Sequence, residues 1–598
     1  MSNVSNCLIG FYLVFFGKTW TQTQKGGNVI YHRKPWLASY DQGVDAEIEI
    51  PSISLKKLLV DTFTAYPDRA AFHFMNEVTS FGRLLEQSGQ FAAALYHAGV
   101  GKGDVVAINL PNTPQYLIAL VGALRAGCAV SGLAPLLMPD EMKYQLNYCS
   151  AKVLVTLDVL FDGKLAPIAH KMDHLETILI TGLFDSLPGV RDYPAGKSLS
   201  NKAVESFYAF MEKTDRSPPE LDVEPGDACF IQYTGGTTGP PKGAVLTHGN
   251  MVANICQFQH WLKIQHSKEV WLSGFPIFHQ AGLFVACCAL VWATPQILIP
   301  DPRNTGHIIK EIARLQPTVL VNVPSLFLML LADPEFRKLD FSSLKYCMAG
   351  AAPFPVDGIK DLDGLVGANK TIEVWGMTET CPLITANPAK NKKKIGSVGL
   401  PLPGTLFRVV SLEDGKTEVP EGSEGELICS GPQVMKGYLN MPGETANALR
   451  EQDGALWMHT GDVGRIDDEG YVYVVDRAKD MIIVGGYKVF SSEVEDKLYK
   501  HPAIGMCAVI GVPNPDRPES EIVKLVVQKS EAYAEKSDQQ VQDEIQTFAK
   551  EILAPYKVPK IYEFLAEIPL TSVGKINKKS LKPSLKKEPM VIAKGVMK

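Results

Sequence analysis

Between Tyr233 and Asn250 the sequence reads YTGGTTGPPKGAVLTHGN. A stretch this rich in glycine can turn successive backbone N–H groups inward as a nest for phosphate, because glycine tolerates the backbone angles required. Gly235, Gly236 and Gly239 would supply that backbone, the hydroxyls of Thr234, Thr237 and Thr238 further donors, and Lys242 a point charge. The P-loop of nucleotide triphosphatases needs G-x-x-x-x-G-K-[ST] with a helix starting at the lysine. Here Lys242 follows two prolines, and Gly243 stands where Ser or Thr should be. ACFIQYT before the loop and AVLTH after it both read as strands, with a helix beginning only at Asn250, a candidate cap. A strand–loop–strand unit has no helix N-terminus to offer a phosphate. Two readings of the loop stand side by side: a tight Gly/Pro hairpin and a nest for phosphate.

The elements that must carry this loop alternate. SLKKLLVDTFTAYP places Leu55, Leu58, Leu59 and Phe63 on a helical stripe ended by Pro67, and FGRLLEQSGQFAAALYHAGV is a second helix closed by Gly99. DVVAINLPN reads as a buried strand, PQYLIALVGALRAG as the helix after it, and AKVLVTLDVL and ETILITG as further strands. This rhythm predicts an α/β fold, with a large domain over residues 34–478 built of open, mostly parallel sheets flanked by helices. After the turn at Asp467–Gly470 the character changes. Ser492 and Glu495 form a capping box, MCAVIGV and IVKLVVQK read as strands, and Val541, Ile545, Phe548 and Ile552 share one helical face. Residues 479–598 are expected to be a small, mobile α+β domain, with the boundary near Arg477 to Asp480.

The 598-residue length allows two or more domains, roughly four times a single-domain norm. Hydrophobic residues at 46% and charged residues at 21% are ordinary for a globular protein. A formal charge of −6 gives no reason to expect nucleic acid, which would call for a basic stripe. Eleven cysteines without a C-x-x-C pair argue against a disulfide scaffold and structural zinc, and for a reducing, cytoplasmic setting. CLIGFYLVFF, Cys7 to Phe16, is too short to span a bilayer and lacks a basic flank and a cleavage site. Residues 1–33 are read as a poorly ordered arm, with a weak membrane-contacting segment as the alternative.

The glycine loop resembles the signature of the adenylate-forming enzymes: acyl-CoA synthetases, peptide-synthetase adenylation domains and firefly luciferase. Further segments are similar to that family's motifs in the same order. They are MAGAAPFP from Met348, EVWGMTET from Glu373, TGDVGRIDDEGYVYVVDRAKD, and LTSVGKINKKSLK, so the likeness covers Lys34 to Leu581. KPWLASYDQGV is similar to the opening of bacterial long-chain acyl-CoA synthetases.

The resemblance assigns Thr234, Gly235, Gly236, Thr237, Thr238, Gly239 and Lys242 to the β- and γ-phosphates of ATP. It assigns Gly350, Ala351, Ala352 and Pro353 to an adenine loop, with Trp375 stacking on the base and Gly376 and Met377 beside it. Thr378 would bond the α-phosphate and Glu379 would hold Mg²⁺. Asp462, assisted by Arg477, would take the ribose hydroxyls. Lys575 is implied as the adenylation catalyst, an ammonium that offsets repulsion between the carboxylate and the α-phosphate. By composition alone it belongs to a solvated basic tail with Lys578, Lys579 and Lys582. Lys479 occupies the hinge position about which the small domain turns between half-reactions, bringing Gly485 and Gly486 to the pantetheine of CoA. Phe278, His279 and Gly282 would line the acyl pocket, and Gly376, where acetate-using members carry tryptophan, suggests room for a longer chain. The sequence departs from the common pattern at Gly235 (often serine), over Ser131 to Glu141, and at Lys488 and Ser491.

The implied activity joins a medium- or long-chain fatty acid to coenzyme A at the expense of ATP, through an acyl-AMP. Rival readings are an acyl-AMP ligase loading a carrier protein, a CoA ligase for an aromatic acid, and a non-catalytic acyl- or nucleotide-binding protein. Expected partners are fatty acid, ATP and CoA, with no nucleic acid, and with room for peripheral membrane contact and a homodimer.

Overall fold

The computed structural model describes residues 34–189, 197–213, 218, 220–234, 240–266, 268–485, 487–515, 517, 520–571 and 576–582. The arm expected over residues 1–33 lies outside them. The chain divides into two compact units, Met1–Thr460 with Gly464–Val474, and Gly461–Val463 with Val475–Lys598.

Two nine-stranded sheets dominate the first unit. One runs in the order Leu400–Pro401, Leu383–Ala386, Thr371–Gly376, Tyr346–Ala349, Val319–Asn322, Trp271–Ser273, Gln296–Leu298, Ala70–Phe74, Glu77–Ser80. Its central strands, from Thr371–Gly376 to Ala70–Phe74, are parallel, and antiparallel pairs close both edges. The other has the order Gly437–Tyr438, Lys242–Thr247, Ala228–Thr234, Ala129–Gly132, Val105–Asn109, Ala151–Leu157, Thr177–Thr181, Lys202–Ser206, Lys197–Leu199. It too is parallel at its centre and antiparallel at its edges. Strands covered on both faces must be apolar throughout, and Val105–Asn109 is buried at every position. The expected α/β architecture of mostly parallel sheets with flanking helices is the one observed.

The helices lie where the apolar stripes predict, over Leu55–Ala65, Phe81–His97 and Pro114–Arg125. Ser54 and Ser80 cap the first two by accepting from Lys57 N and Arg83 N. The helix after the glycine loop, His248–Leu262, begins earlier than expected. Thr247, rather than Asn250, is its cap: Thr247 Oγ1 accepts from Asn250 N at 3.1 Å, and Thr247 N donates to Asn250 Oδ1 at 3.0 Å. The asparagine is the return half of a capping box, three residues inside the helix. No described helix is long and apolar enough to cross a membrane.

In the second unit, Ile504–Pro513 and Glu521–Lys529 pair antiparallel, and Ile561–Phe564 adds in parallel. Asp538–Ile552 covers a core with Val541, Ile545 and Ala549, while Phe548 and Ile552 pack at its margin. The capping box expected from Ser492 and Glu495 does not form. Asp476, almost fully buried, reaches the start of the helix Ser491–Leu498 instead. Its carboxylate accepts from Ser491 Oγ at 2.9 Å and from Ser492 N at 3.3 Å, placing negative charge at the helix N-terminus. Glu495 is thereby left for another task. It accepts from Val509 N at 2.6 Å and pairs with Lys578 at 2.8 Å, and Lys578 also donates to Ser491 Oγ at 2.8 Å. Lys578 is thus no solvated tail residue, since its side chain is only 15% exposed.

Removing one member of a buried ion pair leaves the other charge without compensation, at a cost of about 3 kcal/mol. Lys578→Met is therefore expected to lower the stability of the second unit by about that amount, measured by denaturant titration and by hydrogen exchange at Glu495 to Leu498. Unchanged exchange there would contradict the pairing.

Candidate active site

Residues that the sequence singles out converge because of the parallel sheet. Trp271–Ser273, Val319–Asn322, Tyr346–Ala349 and Thr371–Gly376 are neighbours running the same way. The segments that follow them therefore leave from one edge, the carboxyl end, where open α/β sheets bind ligands. Phe275 to His279 follows the first of these strands, Gly350 to Pro353 the third, and Met377 to Glu379 the fourth.

Ala351 turns its loop in the left-handed region, at φ 69°. Trp375 lies in the core, 9% exposed, meeting the ring of Phe407 edge-on at 6.3 Å. Gly376 is explained by backbone rather than by space for a ligand: a Cβ there would lie 1.8 Å from the Pro382 carbonyl oxygen. The glycine is required by that close approach. Gly282 is similar, with the Pro276 carbonyl oxygen 2.1 Å from a built Cβ. Asn112 holds the intervening loop, donating to Phe275 O at 3.0 Å and accepting from Ile277 N at 2.8 Å. His279 caps the buried helix Gln280–Val291, Nδ1 accepting from Ala281 N at 3.3 Å, and Phe278 is half-buried. A narrow pocket beside them is lined by Phe275, Ile277, Gly282, Val285 and Leu298.

Thr378 and Glu379 occupy a short 3-10 turn, Thr378–Thr380. Glu379 is 5% exposed and accepts from the Tyr438 hydroxyl at 2.6 Å. Met435 N donates to Glu379 O at 2.8 Å. Asn254, from the helix after the glycine loop, clamps the strand that follows the turn, donating to Leu383 O and accepting from Leu383 N, both at 3.0 Å.

The glycine loop joins two antiparallel strands, with Thr234 opposite Lys242. Lys242 therefore begins a strand, not a helix. Its ammonium contacts Glu444 and stands 5.1 Å from the centre of the Tyr438 ring. Gly235, Gly236, Thr237, Thr238 and Gly239 lie outside the described residues, as do Gly486 and Lys575. In the second unit Arg477 Nε pairs with Asp462 at 3.0 Å, and Asp462 is 4% exposed. Lys479 is exposed in the turn that follows, where Asp480 N and Met481 N both donate to Arg477 O. Gly485 tops the hairpin Ile482–Val489, its N–H donating to Ser520 Oγ at 2.9 Å.

Sequence reasoning missed Tyr438, Glu444, Asn254 and Asn112. Tyr438 carries no local signal, since it reaches Glu379 only through edge pairing of Gly437–Tyr438 with Lys242–Thr247. Asn254 and Asn112 were legible only as polar residues in apolar surroundings.

Parallel sheets with ligand loops at one edge, a glycine-rich hairpin ending in lysine and a buried glutamate beside it define a nucleotide-binding α/β protein. The chain belongs to the AMP-binding enzymes: that family matches residues 59–439, and the AMP-binding enzyme C-terminal domain matches residues 493–575. It is 39% identical over 568 residues to a long-chain-fatty-acid–CoA ligase of Bacillus subtilis (strain 168), covering 92% of this chain and 98% of that one. It is 36% identical over 569 residues to the protein of the same name from Escherichia coli O6:H1, with the same coverage. Among solved structures, ATP-bound MatB from Rhodopseudomonas palustris superposes with a TM-score of 0.76 at 28% identity, over 88% of this chain and 98% of that one.

Because the Pro382 carbonyl fills the space beside Gly376, Gly376→Ala is expected to lower stability by about 1–3 kcal/mol through overpacking. Thermal unfolding checks this; an unchanged midpoint would mean that the close approach is absent.

Proposed function

We propose that this chain is an ATP-dependent, AMP-forming acyl-CoA synthetase acting on a medium- or long-chain fatty acid. The observation that carries the reading is identity of 36–39% to long-chain-fatty-acid–CoA ligases over 92% of the chain. In the first half-reaction a carboxylate oxygen attacks the α-phosphorus of ATP and the bond to pyrophosphate breaks. In the second the sulfur of CoA attacks the acyl carbon, and the C–O bond to AMP breaks.

The chain's residues divide the work. The loop from Thr234 to Lys242 is assigned to the β- and γ-phosphates, and Thr378 to the α-phosphate. Gly350 to Pro353 and Trp375 are assigned to the adenine side, and Asp462, oriented by Arg477, to the ribose hydroxyls. Phe278, His279 and Gly282 are assigned to the acyl wall. Glu379 suits Mg²⁺. It is a single buried carboxylate, and the described residues hold no cluster of three or more metal-ligating side chains. Mg²⁺ keeps several waters and binds through one or two carboxylates plus phosphate oxygens, so one protein ligand is enough. When bound, the ion neutralises charge on the triphosphate. Lys575 is assigned to the carboxylate–phosphate encounter, where a cation offsets repulsion between anions, and Lys479 to the hinge between half-reactions.

The test is AMP release from ATP across acids of increasing chain length and an aromatic acid, with and without CoA. The expected result is AMP release that requires a medium- or long-chain acid and CoA together. Acid-dependent pyrophosphate exchange that never responds to CoA would point to a carrier-loading ligase, and no turnover with any acid would overturn the enzyme reading. Lys575→Ala is expected to lose adenylation by 10²-fold or more, of the order seen when one charge-stabilising donor is removed, while still converting supplied acyl-AMP and CoA to acyl-CoA. Equal loss of both half-reactions would contradict the assignment of Lys575 to the first.

A further inference from the structure

The lysine of the glycine loop has an acidic partner within the chain. Lys242 opens its strand, one-fifth exposed at the side chain, and its ammonium contacts Glu444 above the ring of Tyr438. This meeting is built by backbone. The strand Gly437–Tyr438 pairs with the lysine's own strand, Ala244 opposite Tyr438 and Val245 opposite Gly437, and Leu439 N donates to Gly243 O at 2.8 Å. The short helix Pro442–Ala448 follows at once, and its Thr445 Oγ1 accepts from Tyr438 N at 2.9 Å. That bond ties the helix to the strand, so Glu444 arrives over Lys242 with little freedom to be elsewhere.

We infer that Glu444 is a resting counter-ion for Lys242, a carboxylate that occupies the ammonium until the triphosphate of ATP displaces it. The inference rests on the assignment of Lys242 to the phosphates of ATP. An ammonium is a compact point charge, so a carboxylate in contact with it competes with phosphate oxygens for the same position. The pair is suited to being broken, because the Glu444 side chain is 46% exposed and regains water on release. Ion pairs this exposed are weak and screened by salt. Tyr438 is not part of what must move. Its hydroxyl donates to Glu379 at 2.6 Å, so the floor beneath the lysine and the carboxylate assigned to Mg²⁺ stay coupled while Glu444 leaves. Glu444 is a positioning residue, acting through Lys242, and the structure gives it no direct part in the chemistry.

The experiment is equilibrium binding of ATP with Mg²⁺, without acid or CoA, to wild-type protein, Glu444→Gln and Glu444→Asp, at low and high salt. Glu444→Gln removes the charge at constant shape and is expected to bind ATP about 1.5- to 5-fold more tightly, the range open to an exposed pair. KM for ATP falls in parallel, and high salt narrows the difference. Glu444→Asp, which keeps the carboxylate, is expected to lie near wild type. A merely structural glutamate would show none of this pattern. Equal or weaker ATP binding by Glu444→Gln, with normal binding by wild type, overturns this inference and leaves the proposed function standing. Wild-type protein that binds no ATP overturns both.

Discussion

A parallel strand has to hand its chain over at the carboxyl end and recover it at the other, and that constraint organises everything in the first unit. Antiparallel hairpins alternate their loops between edges, whereas parallel strands deliver every following loop to the same edge. Trp271–Ser273, Val319–Asn322, Tyr346–Ala349 and Thr371–Gly376 are consecutive in the sheet, so segments far apart in sequence become neighbours along a single rim. The burial of these strands on both faces makes the arrangement stable, and the site depends on it.

Lys242 lies in the other nine-stranded sheet, while Glu379 follows a strand of this one. The two sheets therefore need contacts at the site, and these are polar and backbone-level. Asn254 clamps Leu383 with two hydrogen bonds at 3.0 Å, Met435 N holds Glu379 O, and the Tyr438 hydroxyl holds the Glu379 side chain. A Cβ at Gly132 would lie 2.5 Å from Phe278 O, so the second sheet also touches the loop from Phe275 to His279. Buried polar groups must be satisfied, and here each satisfaction is also an alignment between the lysine strand and the glutamate turn.

What was legible in the sequence was whatever has a local cause. The helices at Leu55 and Phe81 announce themselves by apolar runs and by the Pro67 and Gly99 that end them, and the failed P-loop is explained by strands on both sides of the glycines. The motifs pointed to Glu379, Lys242 and Asp462 as a set because their order resembles a known family. Two readings failed for lack of a neighbour. Ser492 and Glu495 have the right spacing for a capping box, yet Asp476 reaches the helix first and Glu495 turns to Lys578. Asn250 suggested a cap, and Thr247 is one residue before the helix with the hydroxyl that the role needs. Tyr438 and Glu444 were invisible for the same reason, since edge-strand pairing alone brings them to Lys242.

Two lysine–glutamate pairs show how one chemistry serves opposite ends. Lys578 and Glu495 are 15% and 12% exposed at their side chains, and each has a second partner, Ser491 for the lysine and Val509 N for the glutamate. Breaking that pair strands charge in a dry interior, so it persists and anchors the chain just beyond Lys575. Lys242 and Glu444 are 20% and 46% exposed, and the glutamate projects from a seven-residue helix at the surface. Water can replace either partner there, so separation costs little. A lysine proposed to release its partner for phosphate needs the second kind of pair. A lysine that must fix a backbone segment needs the first, and burial alone, with no difference in residue type, sets the two apart.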